Sequence, residues 1–289
     1  MNLRAAHVER LFFNIIMIKF IVSEKENNKP LDRVLKERYP EISRSTLFKL
    51  LRKKDVRING VKTGEIYQVS TGDEIMAYYD VPVHFRVILE TKDILAVSKD
   101  QGIPVMSDKN GEISLIDQVQ KKYGNSCRLC HRIDRNTGGL VIIAKNSETE
   151  KTLLEYFKEG KVEKFYYCIV KGKMPAKSQM LTAWHFKDNK KSIVYIYDEK
   201  RTGTKEIKTG YTVEKYDPVK DVSYLKVQLF TGRTHQIRAH MAHIGHPVVG
   251  DGKYGTLDTK EGLGLKFQAL WSGEIKTDLF EVKDPPAYK

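Results

Sequence analysis

Apolar and polar positions change period repeatedly along the chain, and each change marks an element. Residues 18–22 read as a short strand. Leu31, Val34 and Leu35 fall at helical spacing and Pro40 stops the run, which predicts a helix over 31–39. Leu47, Leu50 and Leu51 predict a second helix, Arg44 to Lys53, with Ser43 placed to cap it. Val56-Arg57-Ile58, then Asn59-Gly60, then Val61 is the pattern of a hairpin. Thr71 to Ile75 reads as a turn entering a strand. Strands follow at 86–90 and 94–99, and Ser114 can cap a helix reaching Tyr123. Leu140-Val141-Ile142-Ile143-Ala144 does not alternate, is short and is announced by Gly138-Gly139, so it reads as a core strand. A helix over 148–159 ends at Gly160, and a strand covers 162–172. Residues 193–197, 208–215 and 222–230 alternate or run apolar as antiparallel strands do, separated by lysine-rich loops at 187–191 and 200–208. A helix from about His235 to Ile244 ends at Gly245, and 267–271 and 274–282 close the sheet.

This order predicts an α+β protein. A small helix–helix–hairpin domain over 17–78 precedes a linker at 79–85 containing Pro82. A larger domain over 86–289 carries a mixed, largely antiparallel sheet flanked by helices. The apolar run Leu11 to Ile18 is too short to span a bilayer and is interrupted by Asn14 and bounded by Lys19. Residues 1–16 are expected to be an N-terminal extension, with Met17 the working initiator.

Charge narrows the partners. The formal net charge is +13 over 289 residues, which suits a polyanion, either nucleic acid or an acidic membrane surface. Residues 31–62 hold ten Lys or Arg against four Asp or Glu. Arg44, Lys49, Arg52, Lys53, Lys54 and Arg57 gather near the second helix and the hairpin as a candidate phosphate-binding face. Three cysteines imply no disulfide framework and fit a reducing cytoplasm. Cys127 and Cys130 form a C-x-x-C with no second pair to complete a zinc site, so no metal is expected there.

Candidate chemistry centres on His131-Arg132-Ile133-Asp134-Arg135-Asn136-Thr137-Gly138-Gly139-Leu140. One carboxylate lies between two arginines, on a loop anchored by the core strand. The arginines favour its ionised form, which makes it available as nucleophile or base. A surface ion pair beside a turn has the same residue pattern. His235, His240, His243 and His246 crowd together and invite a metal site. Gly245 and Pro247 break the helix before His246 joins the others, no acidic residue lies in the helix, and no metal-ligand spacing is present.

The Asp134 stretch resembles the signature of the RluA-type pseudouridine synthases. Leu229 to Asp251, which includes Gly232-Arg233-Thr234-His235-Gln236-Ile237-Arg238, resembles the family's second long motif. The resemblance covers about residues 85–289. Residues 17–78 resemble the small αL RNA-binding module named from a ribosomal small-subunit protein. What this implies is an RNA pseudouridine synthase, with Asp134 as the catalytic residue and Arg238 as its partner, keeping it ionised and aimed. Tyr166, in a Lys-x-Tyr segment, is implied at the flipped base. Arg132 is implied in the gap that the base leaves, and Leu270 beneath the base. The chain departs from the family at Lys99-Asp100-Gln101-Gly102, where Lys-Pro-x-Gly is usual. It departs again at Thr137-Gly138-Gly139 for Thr-Ser-Gly, and at Leu270-Trp271-Ser272 for Leu-His-Ala. The expected substrate is RNA, ribosomal large-subunit RNA ahead of transfer RNA. No cofactor, metal or membrane is expected, and the expected state is a cytoplasmic monomer. The rival reading is a noncatalytic RNA-binding or ribosome-assembly protein.

Overall fold

Residues 13–39, 42, 44–53, 55–63, 67–107, 113–255 and 265–288 are described by the computed structural model. They fall into two units, Met1–Val83 and His84–Lys289. The first holds β1 (Phe13–Ile21), α1 (Leu31–Arg38), α2 (Arg44–Lys53), β2 (Val56–Ile58), β3 (Val61–Thr63) and β4 (Glu74–Pro82). Its strands pair antiparallel in the order β1-β4-β2-β3. The apolar stripes of the two helices do what their spacing predicts. Leu31, Val34, Leu35, Leu47, Leu50 and Leu51 are buried together with Val56 and Ile75, each such side chain contributing about 1.5–3 kcal/mol. Asn59 and Gly60 both have positive φ, 50° and 83°, as a two-residue hairpin turn requires. Pro40 and Ser43, the expected stop and cap, lie outside the described residues.

Two of the expected boundaries meet in one pairing. The register runs from Ile21↔Glu74 to Phe13↔Pro82. Residues 13–16, read as extension, therefore pair with residues 79–82, read as linker. The apolar run at 11–18 does not by itself say which segment it pairs with. Each completes the other's hydrogen bonds, and a pairing between segments so far apart in the chain is invisible to a local window.

The second unit contains β5 (Phe85–Glu90), β6 (Ile94–Lys99), α3 (Leu115–Tyr123), β7 (Arg128–Leu129), β8 (Gly138–Ala144), α4 (Ser147–Glu159) and β9 (Glu163–Lys171). It continues through β10 (Ser178–Asp188), β11 (Ile193–Tyr197), β12 (Lys205–Asp217), β13 (Val222–Leu229), α5 (Gln236–His243), β14 (Leu270–Lys276) and β15 (Glu281–Lys283). The sheet runs β11-β10-β12-β13-β9-β14-β8-β6-β5, with β15 on β14 and β7 on β8. Among the described pairings β8 and β14 are parallel and the rest antiparallel. β8 is buried along its whole length, which explains why its sequence does not alternate. Ser114 caps α3 through a capping box with Asp117, and Asn146 caps α4 by accepting from Thr149. Gly160 ends α4 at φ 74°.

The sequence pattern places no strand at 178–188 and a polar loop over 200–208. The structure has β10 there, and β12 already begins at Lys205. β10 buries only Ala183 and His185, so its apolar signal is too thin to separate from loop. Among the described residues no helix is long and apolar enough to cross a membrane.

Candidate active site

The Asp134 loop begins where β7 leaves β8. Leu129 still pairs with Ile143, and the Cys130 N–H donates to Ile142 O at 3.2 Å. At the next step a side chain replaces the backbone. His131 Nε2 accepts from the Ile142 N–H at 3.0 Å, so β8 stays satisfied while the main chain turns away. Burial pushes the His131 imidazole down to about 3, with Lys164 acting in the same direction. The Thr137 N–H then donates to Asp134 O at 3.1 Å and closes a turn.

The far side of the loop is bolted as firmly. Lys99 is buried and gives its three Nζ protons to carbonyls, those of Asp100 at 2.8 Å, Ile103 at 2.8 Å and Arg135 at 2.9 Å. Burial lowers its amine to about 7. Gln101 Nε2 donates to Asn136 O at 2.9 Å and Gln268 O at 2.7 Å, and Gln268 Nε2 reaches Thr137 Oγ1 at 2.8 Å. The proline that the family usually has after its lysine is absent, and side-chain donors hold this loop.

Arg238 comes to Asp134 from α5. Its Nη1 donates to Asp134 Oδ2 at 2.9 Å. Its other edge grips Asp251, with Nε to Oδ2 at 2.7 Å and Nη2 to Oδ1 at 2.9 Å. Asp251 has no exposed side-chain surface and also accepts from the backbone of Lys253 at 2.9 Å and Tyr254 at 3.3 Å. Burial disfavours the arginine's charge, but the hydrogen bonds and charges of Asp251 and Asp134 outweigh it and raise its pKa. Burial likewise opposes the Asp251 carboxylate, and the Arg238 fork outweighs it and holds that carboxyl below its ordinary range. A bidentate grip on one carboxylate fixes the plane of the guanidinium, which aims the remaining N–H at Asp134. Asp251 closes the second motif in sequence, but nothing in spacing alone shows that it holds Arg238.

His235 stands at the start of α5 in the left-handed region, φ 54°. Its Nε2 lies 3.9 Å from Asp134 Oδ1, and its Nδ1 lies 2.7 Å from the Tyr254 hydroxyl. That hydroxyl also accepts from the Val194 N–H at 2.9 Å; when it donates its own proton to Nδ1, the imidazole presents Nε2–H toward Asp134. Burial lowers the His235 imidazole to about 4, with Arg238 and Lys253 adding and Asp134 opposing. Gln236 clamps the preceding loop. Its Oε1 accepts from Thr231 Oγ1 and the Arg233 N–H, and its Nε2 donates to Lys208 O and Thr209 Oγ1.

Tyr166 is buried on β9 opposite Ser272. Burial pushes its phenol up to about 12 while the Ser272 hydroxyl works against it and Asp134 adds to it, so it keeps its proton at neutral pH. Leu270 is buried opposite Cys168, on the same face as Tyr166. Arg132 is exposed on the loop, two residues before Asp134. The structure thus brings Asp134, Arg238, Tyr166 and Leu270 together on one face of the sheet and leaves Arg132 to solvent. In the first unit Lys49, Arg52, Lys53 and Arg57 are exposed; Arg44 lies in α2, and Lys54 lies outside the described residues.

Two of the departures from the family motifs are one feature. Gly138 and Trp271 are partners in the parallel pairing of β8 and β14. A Cβ on Gly138 would lie 2.2 Å from the Trp271 ring, and one on Gly139, at φ 98°, would lie 2.2 Å from Ser272 O. A serine at 138 is incompatible with this tryptophan, so the glycine and the large ring go together.

The crowded histidines each have a hydrogen-bond partner. Besides His235, His240 Nδ1 meets Thr209 Oγ1 at 3.0 Å, His243 Nε2 meets Asp198 at 2.8 Å, and His246 Nδ1 meets Lys171 O at 2.8 Å. Burial holds His240 down to about 4. The unfolded chain protonates such histidines near pH 6.5, whereas the folded chain protonates His131 near 3 and His235 and His240 near 4. Between those values the unfolded state binds more protons, so their contribution to stability falls as pH drops from about 6.5 toward 4. Thermal melting across that window should show the loss, and His240→Asn should make it shallower. An unchanged slope in H240N would place the loss elsewhere.

Comparison with known proteins gives the class. A family model described as RNA pseudouridylate synthase matches residues 93–243. An uncharacterized RNA pseudouridine synthase of Mycoplasma genitalium is 32% identical over 89% of this chain and 88% of that protein. A ribosomal large subunit pseudouridine synthase C of Vibrio parahaemolyticus is 26% identical over 90% of this chain and 88% of its own length. The solved structure of human RNA pseudouridylate synthase domain containing 1 covers 72% of this chain and 85% of that one, with TM-score 0.61 and 24% identity, and so shares the fold. The fold and motifs define an enzyme that isomerises uridine within RNA. The chain belongs to the RNA pseudouridylate synthase family, in its RluA-type branch.

Proposed function

We infer that the enzyme converts specific uridines of large-subunit ribosomal RNA to pseudouridine, with Asp134 as the catalytic residue. The observation that carries the site assignment is the chain of contacts from Asp134 through Arg238 to Asp251, which presents one half-buried carboxylate beside Tyr166. A protein that only binds RNA has no use for a carboxylate held in this way. The reaction breaks the bond from uracil N1 to the sugar, turns the base, and joins its C5 to the same sugar carbon. The C5 hydrogen leaves as a proton and N1, freed from the sugar, takes one up, so substrate and product are isomers. Asp134 acts first, as nucleophile on the sugar carbon or as base on the neighbouring sugar proton. Tyr166 packs against the flipped base with its hydroxyl proton retained, and Leu270 lies beneath the base. Arg132, exposed and two residues before Asp134, fills the stack that the base vacates.

The ribosomal target is supported by two large-subunit synthases that match 90% and 82% of the chain. The first unit supports it too. Its helix–helix–hairpin order resembles that of an αL RNA-binding module, and Lys49, Arg52, Lys53 and Arg57 are exposed on α2 and β2. The test is tritium release from RNA labelled at uridine C5, with large-subunit ribosomal and transfer RNA transcripts offered separately. Ribosomal transcripts should be at least ~10-fold better substrates. Replacing the four basic residues with glutamine should lower the salt slope of binding by up to about 0.7–0.9 for each phosphate that is no longer neutralised. Preference for transfer RNA would overturn the assignment.

A further inference from the structure

Lys164 is the one half-buried lysine among the described residues whose ammonium meets no acceptor. Lys29 pairs with Glu37 at 2.9 Å, Lys145 with Glu90 at 2.8 Å and Lys226 with Glu274 at 2.5 Å, while buried Lys99 has its three carbonyls. Lys164 has the Phe157 ring at 5.8 Å and no carboxylate. Burial alone lowers its pKa. Withdrawing an ammonium from water without an anion costs free energy, which an incoming anion returns.

Its position says which anion. Lys164 and Tyr166 are alternate residues of β9, opposite Ile275 and Ser272, and so share the face that carries Asp134. The Nζ lies 3.4 Å from where a Cβ on Gly232 would be. Gly232 belongs to the second motif, is exposed and has no side chain, so the space beside the amine is open and flanked by exposed Arg233. Alternate residues on a strand stand about 7 Å apart, a span comparable to that between a nucleotide's base and its own phosphate.

We propose that Lys164 binds a backbone phosphate of the isomerised nucleotide while Tyr166 holds its base. This rests on Asp134 and Tyr166 marking the active site. The phosphate sets how deeply the flipped nucleotide enters, so Lys164 is a substrate-binding residue that fixes register at the site. Its role is local and separate from the exposed charges of the first unit.

The experiment compares full-length wild type, K164M and K164R for binding to a large-subunit ribosomal RNA transcript across a series of KCl concentrations. K164M should bind ~10-fold more weakly near physiological salt, with a salt slope smaller by about 0.7–0.9, and K164R should keep the wild-type slope. Uridine monophosphates and uridine, used as competitors, locate the contact. The nucleotides should compete better than the nucleoside in wild type and lose that advantage in K164M. An unchanged slope in K164M, or a nucleotide advantage that survives it, overturns the proposal. Failure of the Asp134 reading shows differently, as tritium release that persists in D134N whatever the slopes do.

Discussion

Asp134→Asn should reduce tritium release from C5-labelled RNA by at least ~10³-fold while RNA binding changes less than about threefold. Asparagine keeps the shape of the side chain and an oxygen for the Arg238 N–H that now lies 2.9 Å away. It cannot attack a sugar carbon or take its proton. Folding should be nearly unaffected, because Asp134 is half-buried at the loop tip and Arg238 retains its bidentate grip on Asp251. The loss should therefore appear in kcat, with KM and the melting temperature close to wild type. Activity within tenfold of wild type, at unchanged melting, would falsify the assignment.

Asp251→Ala should do two kinds of damage although Asp251 lies behind Arg238, away from the loop. Its carboxylate has no exposed surface and takes two hydrogen bonds from Arg238. Removing it leaves a buried guanidinium with Asp134 as its remaining carboxylate among the described residues, at a cost of about 3–5 kcal/mol. For a domain of this size the melting temperature should fall by roughly 6–20 °C. Activity should fall by more than ~10²-fold even at temperatures where the variant is folded, because the unclamped arginine no longer holds Asp134 in one orientation. Asp251→Glu separates the two effects. It keeps the charge but displaces the fork, and should recover more stability than activity. Melting of D251A within a degree or two of wild type would show that Arg238 does not depend on this partner.

The hydrophobic pattern was sufficient for much of the architecture. The stripes at Leu31, Val34, Leu35, Leu47, Leu50 and Leu51 could form nothing but amphipathic helices, and those residues are the core of the first unit. The non-alternating run Leu140 to Ala144 required a strand covered on both faces, and β8 is that strand. Caps and turns were equally legible at Ser114, Asn59-Gly60 and Gly160, because each depends on the chemistry of neighbouring residues alone. β10 was not legible, since a strand that buries only two side chains carries little apolar signal.

The candidate site divides along the same line. Motif resemblance pointed to Asp134, Arg238 and Tyr166, because motifs preserve residue identity. It could not show who holds whom. Asp251 behind Arg238, Tyr254 behind His235, Lys99 beneath Arg135, and Trp271 over Gly138 are contacts between segments distant in the chain. The ladder from Phe13↔Pro82 to Ile16↔Tyr79 is another. A sequence by itself fixes interactions whose range is one turn of helix or one hairpin, because there the partners' separation is set by covalent geometry. Orientation of a guanidinium, the tautomer of a buried imidazole and the burial of an unpaired ammonium depend on which distant surfaces the fold brings into contact, and only the tertiary structure decides them.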